Sequence, residues 1–254
     1  MPDADSAPAT SRPAPGVAWA LKRAVPVFLG ARVLAVVFVP LVLAALAFLA
    51  IGGLAWTPFT AWLASAFGGS SAASTWPMVA ARIVAFLIFM LGAVLTALVT
   101  IATVAMPVIV RVVAARDFAD LERRHGGTLA GSLSNAAFAV AVFVPAWLAP
   151  LLLLPLPPLF VAASLLLSAW LNQRLFRYDA LAEHADAKEM RDVVRSARRR
   201  LFGLGLTLAP LSYVPVLNLF APLYAGVAFT YLCLGELAAT RSAARVSSQP
   251  RPDR

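Results

Sequence analysis

Charged residues divide the chain into four uncharged stretches, 33–81, 83–110, 126–173 and 201–235, in which apolar residues run on with only scattered polar ones. A helix needs about 20 apolar residues to cross a hydrocarbon core of about 30 Å. Runs of this length predict membrane helices, since a water-soluble core is built from shorter amphipathic pieces. The segments between and around them carry Lys22, Arg23 and Arg32, then 111–125, then 174–200, then Arg241 and Arg245, and each has a net positive charge. By the positive-inside rule all of them lie on the cytoplasmic side, so each stretch or pair of stretches must leave that side and return to it.

That condition sets the expected topology. Residues 33–54 form one spanning helix and 77–110 its return. The outside loop between them carries Trp56, Trp62 and Trp76 with Gly68 and Gly69, an interfacial turn with aromatic anchors. The return helix can continue past Pro107 to a stop at Gly126-Gly127, with Asp120 and Arg124 as an i,i+4 pair on its wet face. The stretch 201–235 is too short for two crossings and a turn, which need more than about 40 residues. Its Tyr213-Val214-Pro215-Val216-Leu217-Asn218 centre marks a turn, so 201–237 reads as a hairpin entering part of the membrane. In 126–173, Pro145, Pro150, Pro155, Pro157 and Pro158 leave short arms at 133–144 and 159–171, a second partial hairpin over 129–173. The expected fold is an all-α integral membrane protein with two long transmembrane helices and two partly inserted, re-entrant helical hairpins. It forms one membrane domain over 19–238, between disordered tails at 1–18 and 239–254.

Composition agrees: 61% of residues are hydrophobic, 13% are charged and the mean hydropathy is +0.83, far from the mixture of soluble domains. The net charge of +9 sits in short segments flanking apolar stretches, where anionic headgroups account for it, so membrane lipids and no nucleic acid are the expected partners. Cys233 is the only cysteine, which rules out an intramolecular disulfide. The Pro- and Ala-rich first fifteen residues precede any long apolar run, and no cleavable signal peptide is expected.

No catalytic constellation is visible. His125 and His184 are far apart without metal-ligand spacing, and no Gly-rich loop follows a strand, so no enzyme, cofactor or metal is expected. The informative residues are polar groups within the apolar stretches, because an unpaired one in hydrocarbon is costly. Gly92, Thr96, Thr100 and Thr103 share a helix face and serve either helix packing or a polar path. Asn218, between Pro215 and Pro222 and followed by Thr230, either caps the outgoing helix or stands where a buried helix N-terminus meets an anion. Arg32, after Gly30 and Ala31, is either a cytoplasmic anchor or a guanidinium ligand for a tetrahedral oxyanion. Arg191, Arg195, Arg198 and Arg199 are spaced along one side of a helix, with headgroup phosphates as the default partner.

The segment from Tyr213 to Pro222, followed by Ala228-Phe229-Thr230, resembles the Pro-x-x-Asn-x-x-x-Pro hairpin of the CysZ-type sulfate permeases and etoposide-induced protein 2.4 homologues. Arg177-Tyr178-Asp179, the following basic run, Phe202-Gly203 and, more weakly, Ala105-Met106-Pro107 are similar to further family segments, and the resemblance covers about 20–237. It implies two long spanning helices, two partly inserted hairpins and a homo-oligomer. A Gly-Leu-Arg-Arg segment associated with sulfate binding in these permeases falls at Gly30-Ala31-Arg32-Val33, where only Gly30 and Arg32 match. The resemblance therefore implies a permease or channel-like protein for sulfate or a related small inorganic anion in a bacterial inner membrane, with both termini cytoplasmic. Gly30, Arg32 and Asn218 are its expected anion ligands, and Thr96, Thr100, Thr103, Pro215 and Thr230 line the path. The other class of function the residues allow is a non-transporting membrane protein whose charged segments dock a partner in stress response or assembly.

Overall fold

A computed structural model describes residues 14–67 and 75–248, and these are helical nearly throughout, with no strand among them. In chain order the helices are α1 (Val17–Phe28), α2 (Ala31–Ala66), α3 (Thr75–Asp117), α4 (Leu129–Leu151), α5 (Pro157–Ala182), α6 (Ala187–Ser196), α7 (Arg198–Leu208) and α8 (Pro215–Ser248), with a 3-10 turn at Ala209–Tyr213 between α7 and α8. Five helices, α2, α3, α4, α5 and α8, are long and apolar enough to cross a bilayer. The chain divides into two compact units, one of Met1–Gly30 with Met106–Arg254 and one of Ala31–Ala105.

In the Ala31–Ala105 unit, α2 runs 36 residues through Pro40 and Pro58. The loop expected from residue 55 is therefore helix as far as Ala66, and Trp56 and Trp62 lie on α2 while Trp76 is the second residue of α3. Proline within a helix removes one donor and crowds the preceding turn, but nothing else in 55–66 breaks the helix. Thr60 turns its hydroxyl inward, donating to the Trp56 and Thr57 carbonyls. Gly68, Gly69 and the Ser/Ala run fall outside the described residues. Phe89 of α3 meets the rings of Phe48, Trp56 and Phe59 of α2. Most of the large side chains around this packed strip are exposed, among them Leu43, Leu49, Leu54 and Phe86. An apolar surface that broad fits lipid as its solvent.

In the other unit α8 is the core. Of its most apolar window, 83% of residues are buried, against 17% or fewer in the corresponding windows of the other four long helices. Val227 through Leu234 are fully or almost fully buried, with Phe229 stacked on Phe176 of α5. α1 was not foreseen as an element. Its buried Ala20, Ala24 and Val27 recur at helical spacing and lay one face of α1 on α8, where Trp19 meets Tyr231 edge-on and Phe28 meets Tyr224. α7 crosses α5 closely because Gly205 has no side chain: a Cβ there would lie 2.6 Å from the Ala169 carbonyl oxygen.

Three further boundaries differ from expectation. α3 stops at Asp117, and residues 118–128 are not helical; Arg124 leaves Asp120 and pairs with Glu122, Asp186 and Glu189. The chain turns there at His125, which adopts φ 46°, and its amide donates to the Glu183 carbonyl. The arms of the first hairpin are α4 and α5, of 23 and 26 residues, since Pro145 is accommodated inside α4 and Pro157 and Pro158 begin α5. α8 remains helical to Ser248, so residues 239–248 are helix where a tail was expected.

Candidate functional site

The expected anion ligands do not form one cluster within either unit. Gly30 belongs to the larger unit, in the turn after α1, where its amide donates to the Val27 carbonyl. Arg32 belongs to the other unit, exposed in the first turn of α2, and among the described residues it makes no hydrogen bond or ion pair. Asn218 does not cap α8. Pro215 is the first helical residue, a position that suits its fixed φ and missing donor, and Asn218 already sits inside the first turn, its amide donating to the Val214 carbonyl at 2.7 Å. Its exposed side chain makes no hydrogen bond among the described residues.

The threonines on α3 are satisfied locally. Thr100 donates to the Thr96 carbonyl, and Thr103 to those of Val99 and Thr100. At the other end of that face, a Cβ on Gly92 would meet the Phe48 ring at 2.5 Å, so this part of the face packs against α2. Thr230 is fully buried in α8 and donates to the Gly226 carbonyl.

The structure instead gathers polar side chains in places that sequence spacing did not reveal. On α4 and α5, Ser132 donates to Asp179, the Asn135 side-chain amide donates to the Arg174 carbonyl, and the Arg174 guanidinium lies 4.4 Å from the Phe138 ring centre. Asp117 at the end of α3 accepts from the Tyr231 hydroxyl of α8 and pairs with Arg23 of α1 at 3.2 Å. Arg23, Asp117, Trp19 and Pro15 line an open cleft of roughly 380 Å³. Arg200, in the first turn of α7, pairs with the almost fully buried Glu236 of α8. Each of these pairs joins residues far apart in the chain, and no short motif announces them.

A fourth cluster joins α6, α8 and the loop before α4. Asp186 caps α6, accepting from the Lys188 and Glu189 amides, while the Glu189 carboxylate accepts from the Asp186 amide, a reciprocal capping box. Arg241 of α8 donates to both Glu189 oxygens and to the His184 and Glu122 carbonyls. Arg124 donates to Glu189 as well. These contacts, the Arg241 hydrogen bonds foremost, hold the Glu189 carboxyl below its ordinary range. The Glu189 amide does most to lower Asp186, burial lowers His184, and the hydrogen bond to Glu122 raises Arg124.

Helices of span length and a broad exposed apolar surface define an all-helical integral membrane protein. The family described as "Sulfate transporter CysZ/Etoposide-induced protein 2.4" matches residues 20–222, most of the chain, and the chain belongs to this family. No curated protein matches it.

Proposed function

We propose that the chain is a permease or channel-like protein for sulfate or a related oxyanion. The observation that carries this reading is the family match over 20–222, whose description names a sulfate transporter. Arg32 supports it as an exposed cation, without an ion pair among the described residues, at the start of a long apolar helix, suited to attract a dianion at the membrane surface. In the proposed arrangement α2 and α3 span, the basic segments face the cytoplasm of a bacterial inner membrane with both termini, and several copies assemble. The hairpin of α7 and α8 dips partway into the membrane. Its first arm, α7, has 11 residues, about 16 Å of helix, against a hydrocarbon thickness of about 30 Å. The arms of the α4–α5 hairpin reach span length, so partial insertion rests on α7 alone. Neither enzymatic chemistry nor a cofactor enters this reading.

The test is growth on sulfate as sole sulfur source, in a bacterial strain lacking sulfate uptake and expressing the chain. Restored growth is expected. Absence of growth, with the protein present in the membrane, favours the non-transporting, docking function instead.

A further inference from the structure

Six described arginines have carboxylate partners, Arg23 and Arg116 with Asp117, Arg111 with Glu183, Arg124 and Arg241 with Glu189, and Arg200 with Glu236, while Arg191, Arg195, Arg198 and Arg199 are exposed. Arg174 and Arg177 of α5 differ. They are three residues apart, so their side chains are neighbours on one helix face. Both are partly buried, and neither has an ion pair or donates a hydrogen bond among the described residues. The Arg174 guanidinium rests on Phe138, with Trp170 at 5.9 Å, and its Nε is buried without an acceptor. The charged side chains acting on Arg177 are Arg174 and Arg198, both cations, beside the buried thiol of Cys233. The nearby carboxylates of the same segment are engaged elsewhere, Asp179 of α5 with Ser132 and Glu183 at its C-terminal cap with Arg111.

Two guanidiniums one helical turn apart, that of Arg174 resting on aromatic rings with a buried N–H left over, make an incomplete ionic site. The missing component has to be a compact anion with several acceptor oxygens, because each guanidinium offers a planar fork that a tetrahedral oxyanion satisfies in bidentate fashion. Arg174 is also the first charged residue after the uncharged stretch 126–173, which sets the pair at the level where hydrocarbon gives way to headgroups and water. We infer that Arg174 and Arg177 bind a tetrahedral oxyanion of the sulfate or phosphate class, with Arg198 adding positive charge beside them. The ion comes either from solution or from a lipid headgroup. This site is independent of Arg32 and does not require that the protein transport anything.

The experiment is calorimetric titration of inorganic sulfate into the full chain in phosphatidylcholine nanodiscs, with chloride holding ionic strength constant. Arg32→Ala serves as the background, so that binding at Arg32 does not contribute. Saturable binding is expected to persist in Arg32→Ala and to weaken at least about tenfold in Arg32→Ala/Arg177→Gln, the loss of one charge-assisted fork. Unchanged affinity in the double variant, or no saturable binding in Arg32→Ala, overturns the assignment. Should Arg177→Gln fail to fold, Arg177→Lys keeps the charge and loses the fork. An intermediate loss of affinity then supports the site, and unchanged affinity contradicts it. Repeating the titration in a maltoside detergent, which carries no phosphate, separates the sources. Tighter apparent sulfate affinity there identifies a headgroup phosphate competing for the pair in the bilayer, and equal affinity identifies the free ion.

Discussion

Arg200 and Glu236 show what a single residue is worth in the larger unit. The Glu236 side chain is 5% exposed, and Arg200 is its ion-pair partner, so truncating the arginine strands a buried carboxylate. Arg200→Met is expected to cost about 3 kcal/mol, read as a clear drop in Tm in detergent. The neighbouring Arg199, exposed and without an ion pair among the described residues, sets the contrast: Arg199→Met stays within about 0.5 kcal/mol of wild type. Adding Glu236→Gln to Arg200→Met should restore much of the loss, because the pair acts as a unit. Equal Tm values for the two arginine variants contradict this account. At this scale the sequence was only partly legible. Arg32 and Asn218 could be singled out as polar groups bordering apolar stretches, yet whether Asn218 caps depends on where helix α8 starts, and Pro215 takes that place. Partners such as Asp117 with Tyr231 or Arg200 with Glu236 are set by helix packing, and no spacing rule connects them.

Among elements, α6 depends on the cluster formed by Asp186, Glu189, Arg124 and Arg241. His184 is held below its ordinary 6.5 by burial, and Glu189 below its ordinary 4.5, chiefly by Arg241. In both cases the unfolded chain takes up the proton first. The stabilisation is complete above the ordinary pKa and is lost as pH falls through the folded value. Tm should therefore be flat between about pH 7 and pH 8, decline below about pH 6 as His184 becomes protonated in the unfolded chain, and fall further below about pH 4.5. Arg241→Gln should lower Tm at neutral pH and flatten the dependence in the carboxylate range. An acid profile unchanged by that substitution removes the role given to Arg241. The long apolar helices were legible because the absence of charge over 20 or more residues has few explanations other than lipid. α1 was not, since its apolar face of Ala20, Ala24 and Val27 is made of small residues in a segment bearing Lys22 and Arg23.

The hairpin of α7 and α8 bears on the molecule as a whole, because its depth separates a simple anchor from a protein that brings helix ends into the membrane. In a Cys233→Ala background, which removes the only thiol, Asn218→Cys at the hairpin tip should resist an impermeant maleimide applied from outside. Phe67→Cys, exposed at the far end of α2, should react. Labelling of both from outside shows that the hairpin crosses. The turn of this hairpin was legible in the sequence, because Pro215 and Asn218 interrupt the apolar stretch where α7 gives way to α8. The same reasoning shortened the arms of the α4–α5 hairpin, because each proline was treated as a break, whereas α4 carries Pro145 within it.

Oxyanion permeation is tested most directly by labelled sulfate flux into proteoliposomes containing the purified chain, with wild type beside Arg32→Ala and empty vesicles. The account predicts flux well above the empty vesicles for wild type, reduced at least about tenfold in Arg32→Ala if the guanidinium contributes a charge-assisted contact to the passing anion. Flux in both proteins equal to that of empty vesicles contradicts it.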